Sequence, residues 1–110
     1  MASHPLDAMQ AAPDHHGVLY ENERVRVLDT HLVAGDRTPI HAHEWPAALY
    51  VLSWSDFIRR DDQGNVIADS RGKPAPAAGT ALWIDPLPPH CVENVGLDDL
   101  HIIAVEVKSS

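Results

Sequence analysis

The sequence is short of several things, and each shortage removes a class of function. It holds one cysteine, Cys91, in 110 residues, which rules out an internal disulfide framework and any zinc site built on several thiolates. A lone thiol beside His90 reads as a small buried apolar residue, because a nucleophilic thiolate needs a basic, partly exposed setting. Rings are few: three tryptophans, two tyrosines and one phenylalanine. No apolar run approaches the roughly eighteen residues of a membrane-spanning helix. The first residues, Met1-Ala2-Ser3-His4-Pro5, lack the basic stretch and apolar run of a secretory signal, so a cytoplasmic location is the expectation. Basic blocks are missing too. The formal charge is −8, and Arg59-Arg60 and Arg71 with Lys73 are flanked by acids or prolines, which argues against nucleic acid and gives no handle on a membrane.

What is present fits one compact domain, with 45 % hydrophobic and 22 % charged residues in the range of ordinary globular chains. Residues 1–17 contain Pro5, Pro13 and Gly17 without sustained periodicity and read as an N-terminal arm whose order must come from docking. From Val18 to the end, residues 18–110, the pattern is one of short strands between turn signals. The clearest runs are Arg24 to Val33, Pro39 to His43, Ala47 to Ser53, Phe57 to Arg60, Val66 to Ala68, Thr80 to Ile84, Cys91 to Asn94 and Leu100 to Val107. Asp61-Asp62-Gln63-Gly64-Asn65 reads as a solvated hairpin tip. Asp85-Pro86-Leu87-Pro88-Pro89 reads as a turn. An all-β barrel or jelly roll is expected, since closure removes bare strand edges.

The sharpest chemical feature is His41-Ala42-His43. Residues i and i+2 of a strand share a face, so both imidazoles point the same way, and neutral imidazole is the commonest protein ligand for divalent transition metals. Besides His90, five further histidines (His4, His15, His16, His31 and His101) stand elsewhere. The pair alone therefore leaves two readings open, a metal site or hydrogen-bonded structural histidines.

The spacing around the pair goes further. Gly35, five residues, His41, one residue and His43 form the first half of one motif; Gly79, ten residues, His90, three residues and Asn94 form a second. With Glu21 to Val27, Tyr50-Val51-Leu52 and Asn94-Val95-Gly96 in support, the chain from about residue 20 to 107 resembles the cupin superfamily in its small single-domain bacterial form. The resemblance implies a double-stranded β-helix barrel in which His41, His43 and His90 converge on one divalent metal ion. It also implies a homodimer, often made by lending N-terminal residues to a neighbour.

Departures from the family pattern carry information. Ala47 stands where a ligating glutamate is usual, and Trp54 stands where a glycine is usual. Glu44 is a poor substitute, because on a regular strand it points away from His43. A site of three neutral imidazoles leaves the ion near +2, where two imidazoles and a carboxylate leave about +1. That favours an anionic chelating substrate. Cupins with three-histidine sites include thiol and diketone dioxygenases, so the resemblance implies iron(II)-dependent dioxygenation of a small anionic substrate, with nickel, zinc or manganese as other metals. A non-catalytic metal or ligand-binding cupin and a metal-dependent lyase or isomerase are the competing readings. Arg59 or Arg60 could supply a basic group inside the barrel. Trp45 could roof the pocket or pack in the core, Leu49 and Val51 should line the interior with Ala47, and Tyr50 should face outward. His101 and Asn94 are expected to hold structure rather than metal.

Overall fold

The computed structural model describes residues 5–109. The first four residues of the expected arm, His4 among them, lie outside the described residues. One short helix, α1 (Ala8–Ala11), precedes nine strands: β1 (His16–Glu21), β2 (Val25–Leu32), β3 (His41–His43), β4 (Ala47–Ser53), β5 (Phe57–Asp61), β6 (Val66–Asp69), β7 (Ala81–Ile84), β8 (Leu87–Asn94) and β9 (Leu100–Val107). No helix among the described residues is long and apolar enough to cross a membrane.

The strands form two antiparallel sheets, one of five strands in the order β1-β2-β9-β4-β7 and one of four in the order β3-β8-β5-β6. Pairing of β2 with β9 ties the start of the barrel to its end, from Val25 opposite Val107 to Leu32 opposite Leu100. The alternation of side chains then decides what enters the barrel. Leu32 with Leu100, Thr30 with Ile102, Leu28 with Ala104 and Arg26 with Glu106 are four register pairs facing inward. An apolar ladder thus ends in a buried ion pair. Val51, Leu32, Leu100 and Ile102 form the main apolar cluster, with Leu49, Trp54, Phe57 and Val92 packed against it. Ala47, Leu49 and Val51 share the inward face of β4 while Tyr50 is about half exposed, as strand parity requires.

Both motif glycines stand in the left-handed backbone region, Gly35 at φ 83° and Gly79 at φ 88°. A side chain would strain either turn, and each turn sits ahead of strands that carry site histidines.

Within the expected arm, residues 7–16 dock on the barrel of the same chain. Asp7 caps α1, accepting from the Met9 amide at 3.1 Å, and bridges to Ala42 of β3. Ala8 and Ala12 are buried, and Met9 packs on the cluster of Leu28, Ala47 and Ala104. The docking brings His16, the first residue of β1, over β3.

Candidate metal centre

Four histidine rings gather inside the barrel. His41 and His43 come from β3, His90 from β8, where it pairs directly with His41, and His16 from β1. Ring centroids are 4.9 Å apart for His16 and His41, 5.0 Å for His41 and His43, 5.6 Å for His16 and His43, and 4.4 Å for His41 and His90. The β3–β8 register slips between His41 and His43, an irregularity of the kind that re-aims side chains beside functional sites.

A ring nitrogen from each of His16, His41 and His43 lies within 4.8 Å of the others. An ion about 2.1 Å from each nitrogen holds them up to about 4.2 Å apart, so a small ring movement closes the cluster on one ion. The sequence singled out His41, His43 and His90. The structure brings the first two together with His16 and lays His90 against His41 and, at 5.6 Å, His43.

The opposite face of each ring is fixed. Nδ1 of His16 bonds the Ala12 carbonyl at 3.0 Å, that of His41 the Pro39 carbonyl at 2.9 Å, and that of His90 the Pro88 carbonyl at 2.8 Å. Nδ1 of His43 bonds the Glu106 carboxylate at 3.2 Å. Carbonyl and carboxylate oxygens only accept, so each Nδ1 carries a proton, and a ring in its neutral form keeps its Nε2 lone pair available for a metal. Burial pushes the pKa of His16 and His41 down to about 3 and that of His90 to about 4, and neighbouring imidazoles add repulsion against the hydrogen bonds to carbonyls. Neutral imidazoles at physiological pH are what a first-row divalent metal requires. The donor set fits such an ion.

Behind His43 runs a buried chain of charge. Arg26 holds Asp7 through two hydrogen bonds, Nη1 to Oδ2 at 3.0 Å and Nη2 to Oδ1 at 2.8 Å, and Glu106 through Nε at 2.6 Å. Burial works against the charge on Arg26, but its bonds to Asp7 and Glu106 outweigh that and hold its pKa above the ordinary value. Burial alone would raise the Asp7 pKa, and the contacts with Arg26 turn the shift downward. Trp45 covers the guanidinium 5.1 Å from its ring centroid, so it both packs in the core and lines the cavity. Glu106 lies opposite Ala47 in the β4–β9 register. The carboxylate bonded to His43 is Glu106, and it stands beside Ala47, the position where the family pattern has a ligating glutamate.

The histidines open onto a cavity of about 270 Å³ lined chiefly by apolar side chains, among them Leu49, Trp54, Phe57, Val92 and Ile102. Other candidates lie elsewhere. Asn94 holds the turn after β8: its Nδ2 donates to the Leu32 and Asp98 carbonyls, and its Oδ1 accepts from Ser55 and the Gly96 amide. His101 bonds Asp29 at 2.6 Å on the outward face of β9. Asp61 is taken up by the hairpin, accepting from Gln63 and Asn65. Cys91 is buried.

No family model matches the chain, and no curated protein matches it. Solved structures do. A cupin domain protein from Bordetella pertussis Tohama I superimposes with a TM-score of 0.69 at 18 % identity, over 86 % of this chain and 92 % of that one. An RmlC-like cupin from Methanocaldococcus jannaschii, described as a double-stranded β-helix, gives 0.58 at 14 % identity, over 84 % and 77 %. The polyketide cyclase RemF from Streptomyces resistomycificus gives 0.53 at 22 % identity, over 84 % and 63 %. With these likenesses and this topology, the chain has the cupin double-stranded β-helix fold, and inside it a histidine cluster that could hold a metal ion.

Proposed function

We propose that this chain is a metal-dependent enzyme acting on a small anionic, chelating substrate, with iron(II)-dependent dioxygenation as the reaction class. The observation that carries the reading is the cluster of neutral imidazoles with its one carboxylate, Glu106, placed behind the donors rather than among them. His16, His41 and His43, with His90 against them, would hold the ion. When bound, iron(II) supplies redox chemistry with dioxygen and polarises a ligating oxygen. An all-imidazole set leaves the ion's charge nearly uncompensated, which favours an anionic ligand. The chain's own part is to keep the imidazoles neutral and oriented through their Nδ1 bonds, and to exclude water with Leu49, Trp54, Phe57, Val92 and Ile102.

The fourth imidazole supports a second reading. If His90 ligates as well, an octahedral ion keeps about two open positions. A chelating substrate fills both, which favours Lewis-acid chemistry of a lyase, isomerase or cyclase without dioxygen.

The test begins with metal. Protein stripped by chelator and reloaded with iron(II), nickel, zinc or manganese should take up one ion per chain, and His41→Ala and His43→Ala should not. Absence of uptake by the wild-type chain would sink the reading. Oxygen consumption with iron(II) and a panel of diketones, thiols and hydroxy acids then separates the classes. Uptake no faster than in the His41→Ala control removes dioxygenation and leaves the Lewis-acid and binding alternatives.

A further inference from the structure

β5 carries two arginines in succession, and strand alternation sends them opposite ways. Arg60 turns outward and bonds Glu93 through Nη1 at 2.8 Å. Arg59 turns inward and lines the same cavity as the histidines. Its cross-strand neighbours are Val92 on β8 and Ala68 on β6, both apolar. Its guanidinium lies over the Phe57 ring, 5.3 Å from the centroid.

Arg59 Nε is buried without a hydrogen-bond partner. Among the described residues the guanidinium has no carboxylate partner: Glu106, which lines the cavity, is spent on Arg26 and His43, and Asp61, two residues along β5, is spent on the hairpin. Burial pulls the Arg59 pKa below its ordinary value, with no charged group opposing the shift. The contrast with Arg26 is informative. That arginine serves the fold, and every donor direction described for it ends on a carboxylate. A cation drawn partly out of water without a partner is costly to the folded state and is kept where a ligand completes it.

We infer that Arg59 is the anion-recognising residue of the cavity, and that the molecule taken up carries a carboxylate on an apolar body. A planar guanidinium matches a carboxylate through two parallel N–H···O bonds. A single arginine among apolar walls suits a monoanion better than a phosphate, which asks for several donors. Thr38, another polar group of the lining, is held by its Oγ1, which accepts from the Val92 amide at 3.0 Å and leaves its O–H as one neutral donor beside the guanidinium. The Trp54, Phe57 and Val92 side chains supply the apolar wall next to Arg59. Arg59 lines the same cavity as His16, His41, His43 and His90, so the carboxylate would share that cavity with the histidine cluster. The substrate class rests on the enzymatic reading above; the pairing of Arg59 with an anion does not.

The test uses metal-free full-length protein, so that binding at the histidines does not enter. Benzoate and hexanoate are titrated against their neutral amides while the Arg59 Nε–Hε signal is followed by NMR. Both carboxylates should shift that signal with saturation in the millimolar range or below, and the amides should bind at least tenfold more weakly. Arg59→Met should lose at least tenfold in carboxylate affinity, and Arg59→Lys should fall between. Arg59→Met should also melt higher than wild type, because it removes an unpaired, half-buried charge, whereas a structural arginine would melt lower. Equal binding of acids and amides, no shift of the signal with either acid, or unchanged carboxylate affinity in Arg59→Met would overturn the assignment. Carboxylate binding that survives in a chain that takes up no metal upholds Arg59 and refutes the enzymatic reading instead.

Discussion

Glu106 is the residue on which the centre turns. It is almost fully buried, holds Arg26 with one oxygen and orients His43 with the other. A carboxylate behind a ligating imidazole raises the basicity of the ring and fixes its tautomer. Glu106→Gln keeps the shape and removes the charge, so metal affinity should fall about 10- to 100-fold. Competition against a chelator of known affinity measures this. Affinity equal to wild type would mean that Glu106 serves Arg26 alone. At this scale the sequence is legible in part. The His41–His43 pair is visible because strand parity puts both rings on one face. His16 is not visible, because it stands in an arm without periodicity with 24 residues between it and His41, and only the docking of residues 7–16 brings it across. Glu106 is hidden for a similar reason: its nearness to Ala47 is a fact of β4–β9 register, which no local pattern states. Arg59 and Arg60 were separable by parity in principle, but the irregular stretch after Trp54 obscured the phase.

Among the elements, β4 and β9 fall where the sequence puts them, since apolar runs of seven and eight residues between turn signals have one plausible phase. β8 begins earlier than expected. It runs through Pro88 and Pro89, read as a turn, and its register with β3 joins His90 to His41 and Leu87 to His43, on either side of the two prolines. β1 is not among the clear runs of the sequence, whose arm takes in its first two residues, His16 and Gly17, because most of its residues are exposed and show no inward–outward alternation. Two elements give direct tests. A Cβ on Gly96 would overlap Ser55 Oγ and lie 2.8 Å from the Asp56 backbone nitrogen, and Ser55 in turn holds Asn94 at 2.7 Å. Gly96→Ala should therefore cost about 1–3 kcal/mol in urea unfolding, and Ser55→Gly in the same chain should return only part of it, the Asp56 contact remaining. The α1 segment hangs on Asp7. Its pKa is depressed in the folded chain, so its contribution is complete above the unfolded value of 3.8 and is lost as pH falls through the folded value. Asp7→Asn should destabilise by about 3 kcal/mol at pH 7, by the same amount at pH 5, and by less at pH 3. A gap that stays constant down to pH 3 would show that the charge of Asp7 is not what holds the segment.

For the whole molecule, the centre spans both sheets. His16 belongs to the five-stranded sheet; His41, His43 and His90 belong to the four-stranded one. The segment between β2 and β3 passes from one layer to the other and is bound to β8 by Gly35 N to the Asn94 carbonyl and Thr38 N to the Val92 carbonyl. An ion held by histidines of both sheets would add a link that the unfolded chain lacks, and a ligand that binds only the folded state stabilises it by RT ln(1 + [L]/Kd). At about 100 times Kd this is about 2.7 kcal/mol, which in a domain of this size is a rise in Tm on the order of 10 °C. Nickel added to metal-free protein should produce that rise in a thermal melt. His16→Ala should reduce it more than its own effect on the metal-free Tm, because it unties the five-stranded sheet from the ion. His31→Ala, which removes a ring stacked on His101 at 4.4 Å on the outer face, should leave the nickel-induced rise unchanged. If His16→Ala retains the full rise, the ion is held by β3 and β8 alone, and the three-imidazole set is His41, His43 and His90, as the motif spacing implies.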